Sequence, residues 1–137
     1  MDRQTRRDLI DRLRADADRI CLQFGLRYQA IEAERANVKR RYGICYSDGT
    51  IKIRLRHVAT GQPLKYSSLI NTLCHELAHL KHFDHSPRFQ VFYQRILSWA
   101  RRQGIYQPAR SPSRRPDSLV PKRPPAPAPG PEQLSLF

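Results

Sequence analysis

The sequence predicts a small α+β domain: an N-terminal helix, a short antiparallel sheet and two further helices, ending in a disordered proline-rich tail. Three observations predict it. Apolar residues recur at helical spacing in three separate stretches. Between the first and second, period-two alternation flanks an Asp48-Gly49 pair, a strong hairpin-turn signal. Beyond residue 107 the patterning stops, and nine of the chain's 11 prolines lie within 108–131. The expected organisation is a domain over residues 1–106, a linker over 107–132 and a short apolar segment over 133–137.

The first helix is expected over residues 3–24. Leu9, Ile10, Leu13, Ala17, Ile20, Cys21 and Phe24 recur at helical spacing, Arg and Asp fill the other face, and Gly25 ends it. Residues 26–34 read as a first strand. Over 38–57, a two-residue loop at Asp48-Gly49 would set 46 opposite 51, 44 opposite 53 and 42 opposite 55. Tyr42, Ile44, Tyr46, Ile51, Ile53 and Leu55 would then share an apolar face. Lys39, Arg41, Gly43, Cys45, Lys52, Arg54 and Arg56 would share the opposite, basic one. Thr60-Gly61-Gln62-Pro63 breaks the alternation. A second helix is expected over 67–82, with Ser67 or Ser68 as N-cap. Ser86-Pro87 announces a third, with Ser as cap and Pro at the first helical position. It should run to about residue 102 and turn Phe89, Phe92, Tyr93, Ile96, Leu97 and Trp99 to the core.

The 137 residues carry 25 Lys and Arg against 12 Asp and Glu, a formal net charge of +13. A domain this basic suits an anionic partner, most commonly nucleic acid, although a solvated basic face would carry the same charge. The three cysteines, Cys21, Cys45 and Cys74, are odd in number and far apart, which argues against a disulfide framework. The N-terminal stretch lacks the apolar core of a signal peptide, and no apolar run reaches membrane-spanning length. A soluble cytoplasmic protein without a membrane partner is expected.

The chemistry lies in His75-Glu76-Leu77-Ala78-His79-Leu80-Lys81-His82-Phe83-Asp84-His85. His75 and His79 are four apart on an expected helix, so their imidazoles can converge on one zinc ion, with Glu76 beside them. Leu69, Ile70, Leu73, Leu77, Ala78 and Leu80 make this helix apolar, and a buried helix needs a reason to hide two histidines and a glutamate. A catalytic zinc takes a third protein ligand. His82 would sit roughly 10 Å of helix rise from His75 if the helix continued. The third helix contains no acidic residue. That leaves His85, where the chain can turn back, with Asp84 as a weaker alternative. The interval matches the metzincin spacing, but His82 stands where the turn glycine would be, and Met1 is the only methionine.

The runs "RRYGICYSDGTIKIRLRH" and "INTLCHELAHLKHFDHSPRFQVFYQRI" resemble the YgjP-like metallopeptidase domain and the related SprT and WLM families over residues 35–97. The resemblance implies a zincin-like fold and a zinc-dependent endopeptidase holding one Zn2+ through His75, His79 and His85. A zinc-activated water would attack the peptide bond of a protein substrate, with Glu76 as general base. Tyr66, His82, Arg88 and Tyr93 are candidate oxyanion donors, and an edge of the sheet is expected to pair with an extended substrate. Ser86 and Phe89 fit the family pattern and are explained as a cap and a core anchor.

The final Gln133-Leu134-Ser135-Leu136-Phe137 resembles the bacterial pentapeptide that docks on the DNA polymerase sliding clamp, although a chance apolar end would look alike. SprT-like and WLM-type proteases include enzymes that degrade proteins crosslinked to DNA. With a basic surface at Arg40, Arg41, Lys52, Arg54 and Arg56, the expectation is a DNA-associated protease recruited to the clamp. Two rivals stand beside it: a general cytoplasmic metallopeptidase, and a non-catalytic DNA- or clamp-binding adaptor with structural zinc.

Overall fold

The computed structural model describes residues 1–35, 38 and 40–108. Lys39, most of the expected linker and the whole of 133–137 lie outside the described residues. Helix α1 spans Arg3–Phe24, as its periodicity predicts. Asp2 caps it by accepting the Thr5 N–H at 2.7 Å, and Gly25 closes it in the left-handed region at φ 69°. Its buried stripe is Ile10, Leu13, Ala17, Ile20 and Cys21. Strand β1, Ala30–Ala33, is shorter than expected and is pinned to α1, where the Arg14 guanidinium donates twice to the Ile31 carbonyl at 2.9 and 3.2 Å.

Strands β2, Gly43–Cys45, and β3, Thr50–Ile53, complete a sheet in the order β1-β3-β2. Two details depart from expectation. The sheet is mixed, because β1 runs parallel to β3 while β2 pairs with it antiparallel. The hairpin register also differs by one residue: Gly43 faces Ile53, Ile44 faces Lys52 and Cys45 faces Ile51. The loop has three residues rather than two. The Tyr46 N–H donates to the Thr50 carbonyl at 2.8 Å, Gly49 takes φ 94°, and Asp48 accepts the Thr50 N–H at 2.9 Å. The shift moves Gly43 and Cys45 into the core and turns Ile44 and Tyr46 outward. Ile51, Ile53 and Leu55 face inward as expected.

Helix α2, Tyr66–His79, lies under the inner face of the sheet. Its N-cap is Lys65, without a side-chain cap, so neither Ser67 nor Ser68 plays that part. From Leu69 to His79 only Asn71 is not fully buried, as befits a helix enclosed on all sides. Helix α3, Pro87–Arg102, starts on Ser86, whose hydroxyl accepts the Phe89 N–H at 3.3 Å. Phe89, Phe92, Tyr93, Ile96 and Ala100 are buried against α2, with Leu97 and Trp99 half-buried. Cys21, Cys45 and Cys74 all sit in this core as free thiols. Among the described residues, no helix is long and apolar enough to cross a membrane.

Candidate metal centre

The fold brings His75, His79 and His85 together, with one ligand atom from each lying within 4.8 Å of the others. Two come from the last turn of α2, whose helical spacing sets them on one face. The third arrives because α2 ends at His79, three residues earlier than expected, and the chain folds back. Asp84 helps that turn by accepting the Ser86 N–H at 3.3 Å, and Ser86 then starts α3 directly behind His85. Asp84 is not in the cluster.

The donor set fits a metal. The His79 and His85 Nε2 atoms are 3.2 Å apart. Two nitrogens at tetrahedral angles on one zinc, with bonds of about 2.0–2.1 Å, stand roughly 3.3 Å apart. The His79 Nδ1–H donates to the His82 carbonyl at 3.0 Å, which fixes the tautomer and leaves Nε2 as a lone-pair donor. His82 therefore contributes through its backbone, while its ring rests edge-on to Phe92. Burial, then the neighbouring His79 and His85, holds His75 down to about pKa 3, and burial chiefly lowers His79. Both are neutral around pH 7, the form that ligates.

Glu76 is fully buried, and both its carboxylate oxygens lack a hydrogen-bond partner among the described residues. Burial pushes its pKa up to about 8, opposed by the charge of Arg41. A buried carboxyl with no protein donor is costly unless a ligand or ion answers it. The three histidines beside it could hold that ion.

Three contributors escape a sequence-level reading. Phe89 stacks on His79 at 4.3 Å and meets His75 and His85 edge-on at 4.9 and 5.2 Å. It holds all three rings, where the sequence shows only an apolar position. Gly43 lets β2 approach α2: a Cβ there would lie 2.7 Å from Thr72 Cγ2 and 3.2 Å from Glu76 Oε2. An isolated glycine within a strand is the available signal for such closeness. Glu34 is buried and ion-paired to Arg41, through Nη2 at 2.8 Å and Nε at 3.0 Å.

Arg41 is thus tied into the fold rather than free for a partner. Of the other expected basic contacts, Arg40 is exposed, Lys52 lies 5.9 Å over the Tyr46 ring and Arg54 lies 5.0 Å over Tyr42. Arg56 pairs with Pro63 in an isolated bridge. Among the candidate oxyanion donors, the Tyr66 hydroxyl donates to Asp16 at 2.7 Å and the Tyr93 hydroxyl donates to Asn71. Both hydroxyls thus have a protein acceptor, and the Tyr93 ring itself packs edge-on against His75 at 5.2 Å. Arg88 is exposed.

Known proteins resemble this chain in family and in fold. The WLM-domain family model matches residues 29–110, more than half of the chain. A crystal structure of a Wss1 mutant from Saccharomyces cerevisiae aligns with TM-score 0.66 at 18% identity, covering 77% of this chain and 87% of that one. A second Wss1 structure from the same yeast aligns with TM-score 0.61 at 20% identity, covering 70% and 79%. At such identity these structures speak for the fold. No curated protein matches the chain in sequence. A domain match across the hairpin, the histidine turn and α3, on a fold shared with Wss1, places this chain in the WLM-domain family, a metalloprotease family.

Proposed function

We propose that this protein is a zinc-dependent endopeptidase acting on proteins bound or crosslinked to DNA. The observation that carries the peptidase part is the three-histidine cluster beside a buried glutamate whose carboxylate oxygens lack a hydrogen-bond partner among the described residues. Zinc, when bound there, supplies a Lewis acid that polarises a peptide carbonyl and acidifies water. The chain's own residues do the rest. Glu76 accepts a proton from the attacking water and returns it to the leaving amine. As the carboxylate it takes the proton, and as the acid it gives the proton up. Phe89 and the His82 carbonyl hold the imidazoles in place.

The substrate path follows from the sheet. Across the hairpin the Tyr46 N–H donates to the Thr50 carbonyl and the Arg54 N–H donates to the Tyr42 carbonyl. In this alternation the N–H and C=O of Gly43 and Cys45 point to the free edge of β2. The inner face of β2 meets α2 at Glu76, so an extended peptide adding to its free edge as a further strand would pass close to the catalytic residues.

The DNA part is supported by the net charge of +13 and by the WLM match. Recruitment to a sliding clamp is supported by the sequence Gln133-Leu134-Ser135-Leu136-Phe137. The deciding experiment is Glu76→Gln. The variant should keep one equivalent of zinc and lose about 10²–10⁴-fold in cleavage of a DNA-bound protein. Undiminished cleavage would remove Glu76 from the chemistry.

A further inference from the structure

A second recess shares neither the three histidines nor Glu76 with the metal centre. The start of α1, the end of β1 and the segment following β3 wall a cleft of about 480 Å³, inside the roughly 300–1,000 Å³ range of ligand clefts. Four arginines line it: Arg6, Arg35, Arg54 and Arg56. None of them has an ion-pair partner among the described residues. The one acid in the lining, Glu34, is already answered by Arg41 and by the Arg35 N–H. The recess therefore gathers cations with no counter-charge of its own.

One polar atom is left over. Arg54 Nε is buried without a hydrogen-bond partner among the described residues, and its Nη2 reaches the Val38 carbonyl only at 3.4 Å. A guanidinium N–H closed off from water and unanswered by protein awaits an acceptor. The same lining offers apolar surface at Val58, which is 50% exposed, beside the exposed Ala59. Charge and apolar surface together suit a ligand with an anionic group next to an apolar ring.

We propose that this cleft seats one nucleotide of an unpaired nucleic-acid strand, its phosphodiester on the arginines and its sugar and base against Val58. The proposal rests on the nucleic-acid reading above and moves its centre from Arg40, Arg41 and Lys52 to the cleft. Arginine forks match phosphate oxygens. A duplex keeps its base faces stacked and unavailable, whereas a single strand offers them to side chains.

The test uses the zinc-loaded full-length protein and a fluorescein-labelled thymidine oligonucleotide, with anisotropy read at several salt concentrations. Arg35→Glu with Arg56→Glu should weaken binding by about tenfold or more and flatten the salt dependence by about one to two phosphate contacts. Arg40→Glu with Lys52→Glu, outside the cleft lining, should change affinity by less than about threefold. Arg35→Lys with Arg56→Lys should retain most binding, and circular dichroism will show that each variant is folded. If the Glu pair does not fold, Arg35→Ala with Arg56→Ala gives the same comparison. Loss confined to the Arg40 and Lys52 pair would overturn the cleft and leave the nucleic-acid reading standing. No binding by the unaltered protein would remove both. Equal affinity for a duplex of the same length, or displacement by polyglutamate at equal charge, would also overturn the proposal.

Discussion

At the scale of the residue, the site depends on a hydrogen atom in place of a side chain. Gly43→Ala would press a methyl group onto Thr72 and the Glu76 carboxylate, at 2.7 and 3.2 Å. We expect a stability cost of about 1–3 kcal/mol and a drop in kcat of about 10²-fold from a displaced base, with zinc content unchanged. Metal analysis beside steady-state kinetics checks this. Loss of zinc instead would mean that β2 supports the histidines rather than Glu76. Glu76 also sets a pH signature in the metal-free protein. Its pKa of about 8 exceeds the ordinary 4.5, so the folded state binds more protons than the unfolded one between those values. Stability is therefore lost as pH rises through that window. His75 works the other way, but only below 6.5, where the unfolded chain gains the proton. Between pH 6.5 and 8 Glu76 acts without it, at about 2 kcal/mol. Metal-free protein should thus melt lower at pH 8 than at 6.5, and Glu76→Gln should flatten that slope in calorimetry. An unchanged slope would assign it to other groups.

At the scale of the element, Ser86 joins a helix start to a metal ligand. Its hydroxyl caps α3 at the residue after His85. Ser86→Ala should cost about 1 kcal/mol and weaken zinc binding, because His85 loses its anchored neighbour; Ser86→Asp should restore both. A chelator competition titration reads the second effect, and unchanged affinity would show that the Asp84 turn suffices. Elements also show what was legible in the sequence. The spans of α1 and α3 could be read closely, because periodicity and caps are local properties. The end of α2 could not, because a ring contact with Phe89 and a carbonyl contact with His79 compete with continued helix. The hairpin register was misread by one residue because Ser47 joins the loop. The alternation Ile44, Tyr46 looked like a core face, yet the core takes Gly43 and Cys45. No hydrophobic pattern reveals a glycine chosen for closeness. His75, Glu76 and His79 stand out in the sequence by spacing and His85 by elimination and resemblance, whereas Phe89 and the Glu34–Arg41 pair depend on contacts between distant segments.

At the scale of the whole molecule, the proposed division of labour makes a separable prediction. Deleting 133–137 should abolish binding to a bacterial sliding clamp while leaving peptide hydrolysis by the zinc-loaded domain within about twofold, since a tether raises local concentration without touching the chemistry. Surface plasmon resonance on immobilised clamp, beside a peptidase assay, measures both. Clamp binding that persists without the segment would put the contact on the folded domain and make the general peptidase the better account.

The three thiols of the core carry a further consequence. Burial raises the pKa of each, Cys21 to about 11 and Cys45 to about 12, with Cys74 raised as well. A thiol that cannot ionise neither competes for the metal nor meets electrophiles and oxidants. Each sulfur becomes reactive only in a molecule whose interior has come apart. While the domain is folded, burial shields these thiols, so the rate at which a thiol reagent labels them reads how often the core opens.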